Sequence, residues 1–162
     1  MPRPVGLVCC LVIAGVLPGR TAPDGTDDAR FVRLAPEDLR FSEVPGGGGL
    51  QMAVVEGDPT KPGIYVVRVK FPPGLMTRNH FHPEDRHAVV IEGTWWTGTG
   101  DAFNPDATVP LKTGSYMKHP AGGHHFDGAK EEEVIVQIIG VGPSQTILLR
   151  PAEGLVGPSL KQ

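Results

Sequence analysis

The histidines of this chain are confined to one stretch, and two of them have the spacing of metal ligands. All 6 histidines lie between positions 80 and 125 of a 162-residue sequence. His80 and His82 are one residue apart in a segment typical of a β-strand, where side chains alternate with period 2. Both imidazoles therefore project from the same strand face and can converge on one ion. The pair predicts part of a metal site.

His87 is the next candidate ligand. It has the wrong parity for an uninterrupted strand, but Pro83, Glu84 and Asp85 predict a bulge or turn that resets the alternation. In the alternative interpretation, His87 hydrogen-bonds a carboxylate behind the ligands, which leaves a site of three histidines.

A longer pattern surrounds these residues. Gly74 is followed by five residues, then by His80-x-His82, four residues, His87 and finally Gly93. This pattern resembles the first motif of the cupin superfamily, which usually has Glu at the position assigned here to His87. The spacing departs too, because five rather than six residues separate His87 from Gly93.

A second pattern follows the first in the order that the superfamily has. Gly114, five residues, Pro120-x-Gly122 and two further residues lead to His125, which resembles the second cupin motif. Residues 31–45, 57–63 and 134–143 further resemble small, single-domain bacterial cupins. The resemblance implies an all-β fold, a cupin-type antiparallel barrel also described as a double-stranded β-helix or jelly roll.

The resemblance and the histidine spacing together predict a metal site. The expected ligands are His80, His82, His87 and His125. The expected cofactor is a divalent transition metal ion, and imidazole ligands alone do not choose among Fe, Zn, Mn, Ni and Cu. Four neutral imidazoles leave the charge of such an ion near +2, so the site favours anions.

The function predicted from these features is that of a metal-dependent enzyme. Its substrate is expected to be a small anionic or enolisable molecule, and its chemistry of the dioxygenase type or related to it. The alternative is a non-catalytic cupin module that binds a metal or a small ligand. Catalytic residues are not identified from the sequence. Candidates for lining the cavity or supporting the ligands are His119, Gln137, Tyr65 and Trp96.

The rest of the sequence supplies the strands that must hold these residues. The chain has 22 glycines and 17 prolines spread between short apolar runs, which indicates many turns joining strands. A hairpin is expected at Glu92-Gly93, and residues 36–39 are expected to form one helical turn or a tight turn. Strands are expected near residues 31–34, 50–55, 64–71, 89–91, 94–97, 115–119, 134–139 and 147–150.

The N-terminal residues differ from the rest. Arg3, the apolar run 5–17 and the small, turn-forming residues 18–22 follow the order of a secretory signal peptide. Residues 1–22 are therefore predicted to be a signal and residues 23–30 a linker, so the protein is expected to be secreted or periplasmic. The alternative is a start codon assigned too far upstream.

The remaining boundaries follow from composition. Residues 31–150 are predicted to form the cupin domain, and residues 151–162 a flexible tail. The 2 cysteines lie in the apolar run, so an exported chain would contain none and thiolate chemistry is excluded.

Charge limits the partners. The formal net charge of -3 shows no basic stripe, which disfavours nucleic acid, and no stretch of the mature chain has the length of a membrane span. A small-molecule ligand is the expected partner. The resemblance also implies a homodimer, because similar cupins often pair edge strands and residues 31–34 are expected to form a suitable edge.

Overall fold

A computed structural model describes residues 31–159 of the chain. The chain divides into two units, Met1–Arg33 and Leu34–Gln162, and every element given below belongs to the second. The predicted signal peptide and linker, residues 1–30, lie outside the described residues, so export stays a prediction.

Strands make up the regular structure of residues 31–159. The turns of 3-10 helix are Pro36–Asp38, Pro105–Ala107 and Pro151–Glu153, and these residues include no helix long and apolar enough to cross a bilayer. The strands are β1 (Ser42–Glu43), β2 (Gln51–Glu56), β3 (Gly63–Phe71), β4 (Leu75–Thr77), β5 (His80–Phe81), β6 (Arg86–Glu92), β7 (Thr94–Thr99), β8 (Val109–Lys112), β9 (Tyr116–His119), β10 (His125–Gly128), β11 (Val134–Gly142), β12 (Ile147–Leu148) and β13 (Val156–Pro158).

These strands form two antiparallel sheets. The first has the order β1-β2-β3-β11-β6-β9, and the second has the order β12-β5-β10-β4-β13, with β7 pairing to β10 and β8. Sequence neighbours such as β3 and β4 lie in different sheets, as they do in a jelly roll. The predicted all-β, cupin-type fold is confirmed.

The core forms where alternating strands turn their apolar side chains inward. On β3, Tyr65, Val67, Val69 and Phe71 are buried, as their period-2 spacing predicts. β11 pairs with β3 along its whole length and buries its own alternate residues against the same core. Each fully buried aliphatic or aromatic side chain contributes roughly 1.5–3 kcal/mol. The first sheet therefore supplies most of the buried core on one wall of the barrel.

The expected hairpin at Glu92-Gly93 is wrong. The chain leaves β6 in the first sheet and enters β7 in the second, so the two strands do not pair. Gly93 makes the crossing with φ of 75°, and a Cβ there would lie 2.4 Å from the carbonyl oxygen of Glu133. Only glycine permits both the positive φ and the close approach. This crossing turns the side chains of β7 into the barrel from the opposite wall.

Two expectations about the ends of the domain also need correction. Residues 31–34 form no strand, so they do not offer the edge on which dimerisation was predicted, and the dimer stays a prediction. The tail expected over 151–162 is partly structured, because β13 pairs with β4 and Ser159 N–H donates to the carbonyl of Gly74. The tail is ordered there because β13 pairs with the edge of β4, which would otherwise be open.

Candidate metal centre

Three histidines meet at one end of the barrel interior. His80 lies on β5, His82 follows that strand directly, and His125 begins β10, where it pairs in register with His80. The ring centroids are 4.9 Å apart for His80 and His82, 4.3 Å for His80 and His125, and 5.3 Å for His82 and His125. One ligand nitrogen from each of the three lies within 4.8 Å of the others.

Each of these rings is held by its Nδ1 atom. Nδ1–H of His80 donates to the carbonyl of Arg78 at 2.7 Å, that of His82 to Gln145 at 2.7 Å, and that of His125 to Gly123 at 2.9 Å. Carbonyl oxygens only accept, so the proton is on Nδ1 in all three rings and the lone pair is on Nε2. This is the arrangement in which histidine binds metals, with the second nitrogen fixing the tautomer and the ring orientation.

Burial keeps these imidazoles neutral. Desolvation lowers the pKa of His80 to about 4 and, with the nearby Arg86 guanidinium, that of His82 to about 2. Burial also lowers the pKa of His125. A metal must compete with protons for the same lone pairs, so low imidazole pKa values make the rings available as ligands at neutral pH.

A second group shares His125. His119 on β9 stacks on His125 with centroids 3.9 Å apart, and Oδ2 of Asp127 lies 3.7 Å from Nε2 of His125 and 3.9 Å from Nε2 of His119. Neither ring nitrogen of His119 has a hydrogen-bond partner within the described part of the chain, although the residue is 3% exposed. Two buried nitrogens without a protein partner are available to a ligand, an ion or water.

Arg86 extends into the same space from β6. Its Nη1 lies 2.6 Å from Nε2 and 2.9 Å from Nδ1 of His82, and its Nε has no partner among the described residues. Because Nδ1 of His82 already carries a proton, Nε2 is the acceptor for this N–H group. Desolvation lowers the pKa of the guanidinium, while Tyr65, Asp127 and Glu84 oppose that effect. A cation thus stands beside one of the three converging lone pairs.

The histidines, Asp127 and Arg86 line one side of a partly open cavity of about 120 Å³. Such a volume holds several water molecules or a small organic ligand. The other lining residues are mostly apolar and come from both sheets. They are Val44, Leu50, Met52, Val69, Phe71, Trp95, Ile138 and Leu155, together with Thr77 and Thr146.

The prediction for His87 needs correction. His87 is exposed on the outer face of β6, and its Nδ1 accepts from or donates to the Tyr116 hydroxyl at 2.8 Å. Residues 83–85 do not reset the alternation in the way that was expected, so the inward positions of β6 are Arg86, Ala88 and Val90. The structure therefore brings together His80, His82 and His125 but not His87.

Of the residues predicted to line the cavity, some do so and others face outward. His119 lines the cavity, whereas Gln137 faces outward from β11 and accepts a hydrogen bond from Nε of Arg68 at 3.2 Å. Trp96 is also outside, with Nζ of Lys130 3.9 Å from its ring centroid, and Trp95 takes the inward position.

Tyr65 belongs to the core rather than to the cavity lining. Its hydroxyl lies 3.2 Å from Oγ of Ser144 and 3.5 Å from Oε1 of Glu84.

Sequence reasoning missed Arg86 and Asp127, although the sequence contains a signal for each. Six residues separate Arg86 from Gly93, which is the spacing that the first cupin motif usually has after its Glu. Asp127 is two residues beyond His125 on one strand, so the two share a face. Arg86 therefore stands where cupins usually have a ligand carboxylate, and Asp127 supplies a carboxylate from another strand.

The donor set fits a divalent transition metal. Three neutral imidazoles bring one ligand nitrogen each within 4.8 Å of the others. Nε2 of His125 has no partner among the described residues and lies 3.7 Å from Oδ2 of Asp127, while Nε2 of His82 is in contact with Arg86. Borderline metals such as Zn, Fe, Cu and Ni accept this nitrogen-rich set.

Comparison with known proteins agrees with the fold. The family described as the ChrR cupin-like domain matches residues 29–145. The chain belongs to this family, within the cupin superfamily. A search of curated proteins found no match to the chain.

Solved structures show the same barrel. The polyketide cyclase RemF from Streptomyces resistomycificus is 17% identical, with a TM-score of 0.62 over 74% of this chain and 85% of that one. The DMSP lyase DddQ from Ruegeria pomeroyi DSS-3 is 17% identical, with a TM-score of 0.56 over 74% and 60%. An RmlC-like cupin from Shewanella frigidimarina is 15% identical, with a TM-score of 0.54 over 68% and 90%. At these identities the likeness concerns the fold alone.

Proposed function

We propose that this protein is a metal-dependent enzyme that acts on a small molecule inside the barrel. His80, His82 and His125 hold a divalent transition metal ion through their Nε2 atoms. The single observation that carries this proposal is that all three Nδ1–H groups donate to backbone carbonyls while the three rings converge. Such fixation of the tautomer is characteristic of metal-ligating histidine.

The bound metal would supply Lewis-acid or redox chemistry in a low-dielectric pocket. The chain's own groups supply proton handling. Oδ2 of Asp127 lies 3.9 Å from Nε2 of His119 and 3.7 Å from Nε2 of His125. Of the two unpaired nitrogens of His119, one can give a proton and the other can take one. His119 lies on β9 of the first sheet and Asp127 on β10 of the second, and both line the same cavity as the three histidines. A substrate in this cavity would therefore lie near the metal and these proton carriers together.

The side chains that line the cavity indicate the class of substrate. A small molecule with a polar, oxygen-bearing end and an apolar body matches a cavity with histidines, Asp127 and Arg86 on one side and apolar side chains on the other. Dioxygenase-type oxidation, elimination and cyclisation or isomerisation of an enolisable molecule are all compatible with one metal and a nearby acid-base pair. The structures most similar in fold include a cyclase and a lyase, and they support enzymatic use of such a barrel.

The contact of Arg86 with His82 favours a second candidate. Nη1 of Arg86 lies 2.6 Å from Nε2 of His82. If this hydrogen bond persists in solution, that nitrogen is not free to bind a metal. The barrel would then be a binding module that retains a small ligand without turnover.

Metal analysis combined with a substrate screen separates the two functions. The purified protein is expected to contain one equivalent of a transition metal, and to convert a small carboxylic or enolisable compound at a rate abolished by a chelator. The screen is run with and without oxygen, which identifies a dioxygenase by its requirement for oxygen. Ligand binding without any conversion, in protein that lacks metal, would support the binding module instead.

A further inference from the structure

Arg86 is a half-buried cation whose Nε atom is fully buried and which has no adequate counterion. It forms no ion pair within residues 31–159, and its buried Nε has no hydrogen-bond partner there. Glu84 and Asp127 influence it only as nearby charges. Burial of an unpaired charge is costly, and proteins normally offset this cost with an opposite charge.

The unpaired hydrogen-bond donors around the cavity need an acceptor. Nε–H of Arg86 and Nε1–H of Trp95 can only donate, and both are buried without partners in the described chain. His119 contributes a third unpaired ring N–H from the adjacent strand, with its ring 5.6 Å from that of Trp95. A cationic ligand end would leave these donors unpaired, and a neutral carbonyl offers a single uncharged oxygen, whereas a carboxylate offers two charged oxygens that form stronger hydrogen bonds.

The formal charge of the site also favours an anionic ligand. A divalent ion, the Arg86 guanidinium and the Asp127 carboxylate sum to about +2, whereas an ion bound by three histidines and one glutamate is near +1. The exchange of the usual motif carboxylate for arginine therefore makes this cavity more attractive to anions than that of a typical cupin. Beyond the charged side, Leu50, Val69 and Phe71 form a wall that offers no polar group to a ligand.

We infer that Arg86 is the specificity-determining residue of the cavity and binds the carboxylate of a small amphipathic carboxylic acid, whose aliphatic or aromatic body packs against Leu50, Val69 and Phe71. This inference rests on the proposed function, which it deepens by naming the substrate class. Engagement of the carboxylate also moves the guanidinium off Nε2 of His82, so that ligand and metal bind with positive cooperativity.

The test compares three probes by isothermal titration calorimetry. They are 3-methylbutanoate, its neutral isostere 3-methylbutanamide, and acetate, each titrated into chelator-treated and metal-loaded protein. The charged probe is expected to bind at least about tenfold more tightly than the amide, because the amide loses the charge-assisted bond to Arg86. Acetate is expected to bind more weakly than 3-methylbutanoate, since it lacks the apolar body.

Variants assign the preference to Arg86. Arg86→Met should abolish the preference for the charged probe, and Arg86→Lys should retain part of it, which shows that the fold tolerates the position. Arg68→Met is the matched control, because Arg68 lies on the outer face of the barrel and contacts Gln137. It should bind all three probes as the unchanged protein does.

The results distinguish a failure of the Arg86 assignment from a failure of the proposed metal-dependent function. Equal affinity for acid and amide, or an undiminished preference in Arg86→Met, would overturn the assignment of Arg86 even if metal analysis finds one ion per chain. A preference that depends on Arg86 in a protein that takes up no metal would support the assignment and overturn the metal-dependent function. Tighter binding of 3-methylbutanoate after metal loading is the expected cooperative result, and weaker binding would contradict the displacement of Arg86 from His82.

Discussion

Nη1 of Arg86 lies 2.6 Å from Nε2 of His82, the atom through which His82 would bind a metal. Two cations, the guanidinium and a metal ion, therefore compete for one lone pair. The competition arises because arginine occupies the inward position at the start of β6, where the cupin motif usually has a carboxylate. We therefore expect the same residue to set the charge of the cavity and to limit its metal affinity.

Replacement of Arg86 by glutamate should strengthen metal binding. The change Arg86→Glu removes the competing cation and adds a carboxylate at the usual ligand position, which alters the charge next to the ion by two units. The affinity for Zn²⁺ should rise by at least about tenfold, in view of the strength of such charge interactions at partly buried sites. Competition with a chromophoric chelator measures it.

A charge change elsewhere should have little effect. Arg68→Glu makes the same substitution on the outer face of the barrel and should leave the Zn²⁺ affinity nearly unchanged. If Arg86→Glu bound Zn²⁺ no better than this control, Arg86 would not face the metal.

Acid should destabilise the metal-free protein in a defined window. The pKa of His80 is lowered from 6.5 to about 4 by burial, so between these values the unfolded chain binds more protons than the folded one. The free energy of unfolding therefore falls as pH drops from about 6.5 towards 4. For His80 alone the loss is on the order of 3 kcal/mol, and His82, His119 and His125 add to it in the same direction.

Urea unfolding of chelator-treated protein at pH 7.5 and pH 5 measures this effect. The midpoint should be clearly lower at pH 5. In His119→Phe the difference between the two midpoints should shrink, whereas in His87→Ala, where the lost imidazole is exposed, it should persist. Identical midpoints at both pH values would show that the buried rings do not resist protonation.

Export is a prediction that mass spectrometry of the native protein can decide. The order of charged, apolar and small residues over 1–22 predicts cleavage, with the mature chain beginning between residues 20 and 30. The mature mass should match a terminus in that range. A soluble cytoplasmic product that retains Met1 would mean that the apolar run is no signal peptide.

Much of the architecture follows from the sequence, because it depends on local periodicity. The alternation of β3 and the pairing of His80-x-His82 on one face need only the period of a strand. The route of the chain between sheets is different, since the crossing at Gly93 depends on a close approach to Glu133 that lies far along the sequence. Local signals at Glu92-Gly93 are the same for a hairpin and for a crossing.

The site, too, could be predicted from the sequence only where it depends on local spacing. His80, His82 and His125 could be named from spacing, but the parity of β6 could not be decided from Pro83 to Asp85 alone. A shift of one residue there puts Arg86 instead of His87 on the inner face and so adds a positive charge to the cavity. Trp95 and Trp96 differ in the same manner, since adjacent residues face opposite sides and only the sheet that β7 joins determines which is inside.

The metal content of two adjacent variants tests the central claim most directly. His124 is half exposed and contacts Asp101 outside the cavity, whereas His125 is 3% exposed and directs its unpaired Nε2 towards His80 and His82. The unchanged protein and His124→Ala should each retain one transition metal ion per chain by inductively coupled plasma mass spectrometry, and His125→Ala should retain none. Equal metal content in the two variants, or no metal in the unchanged protein after loading, would contradict the three-histidine site.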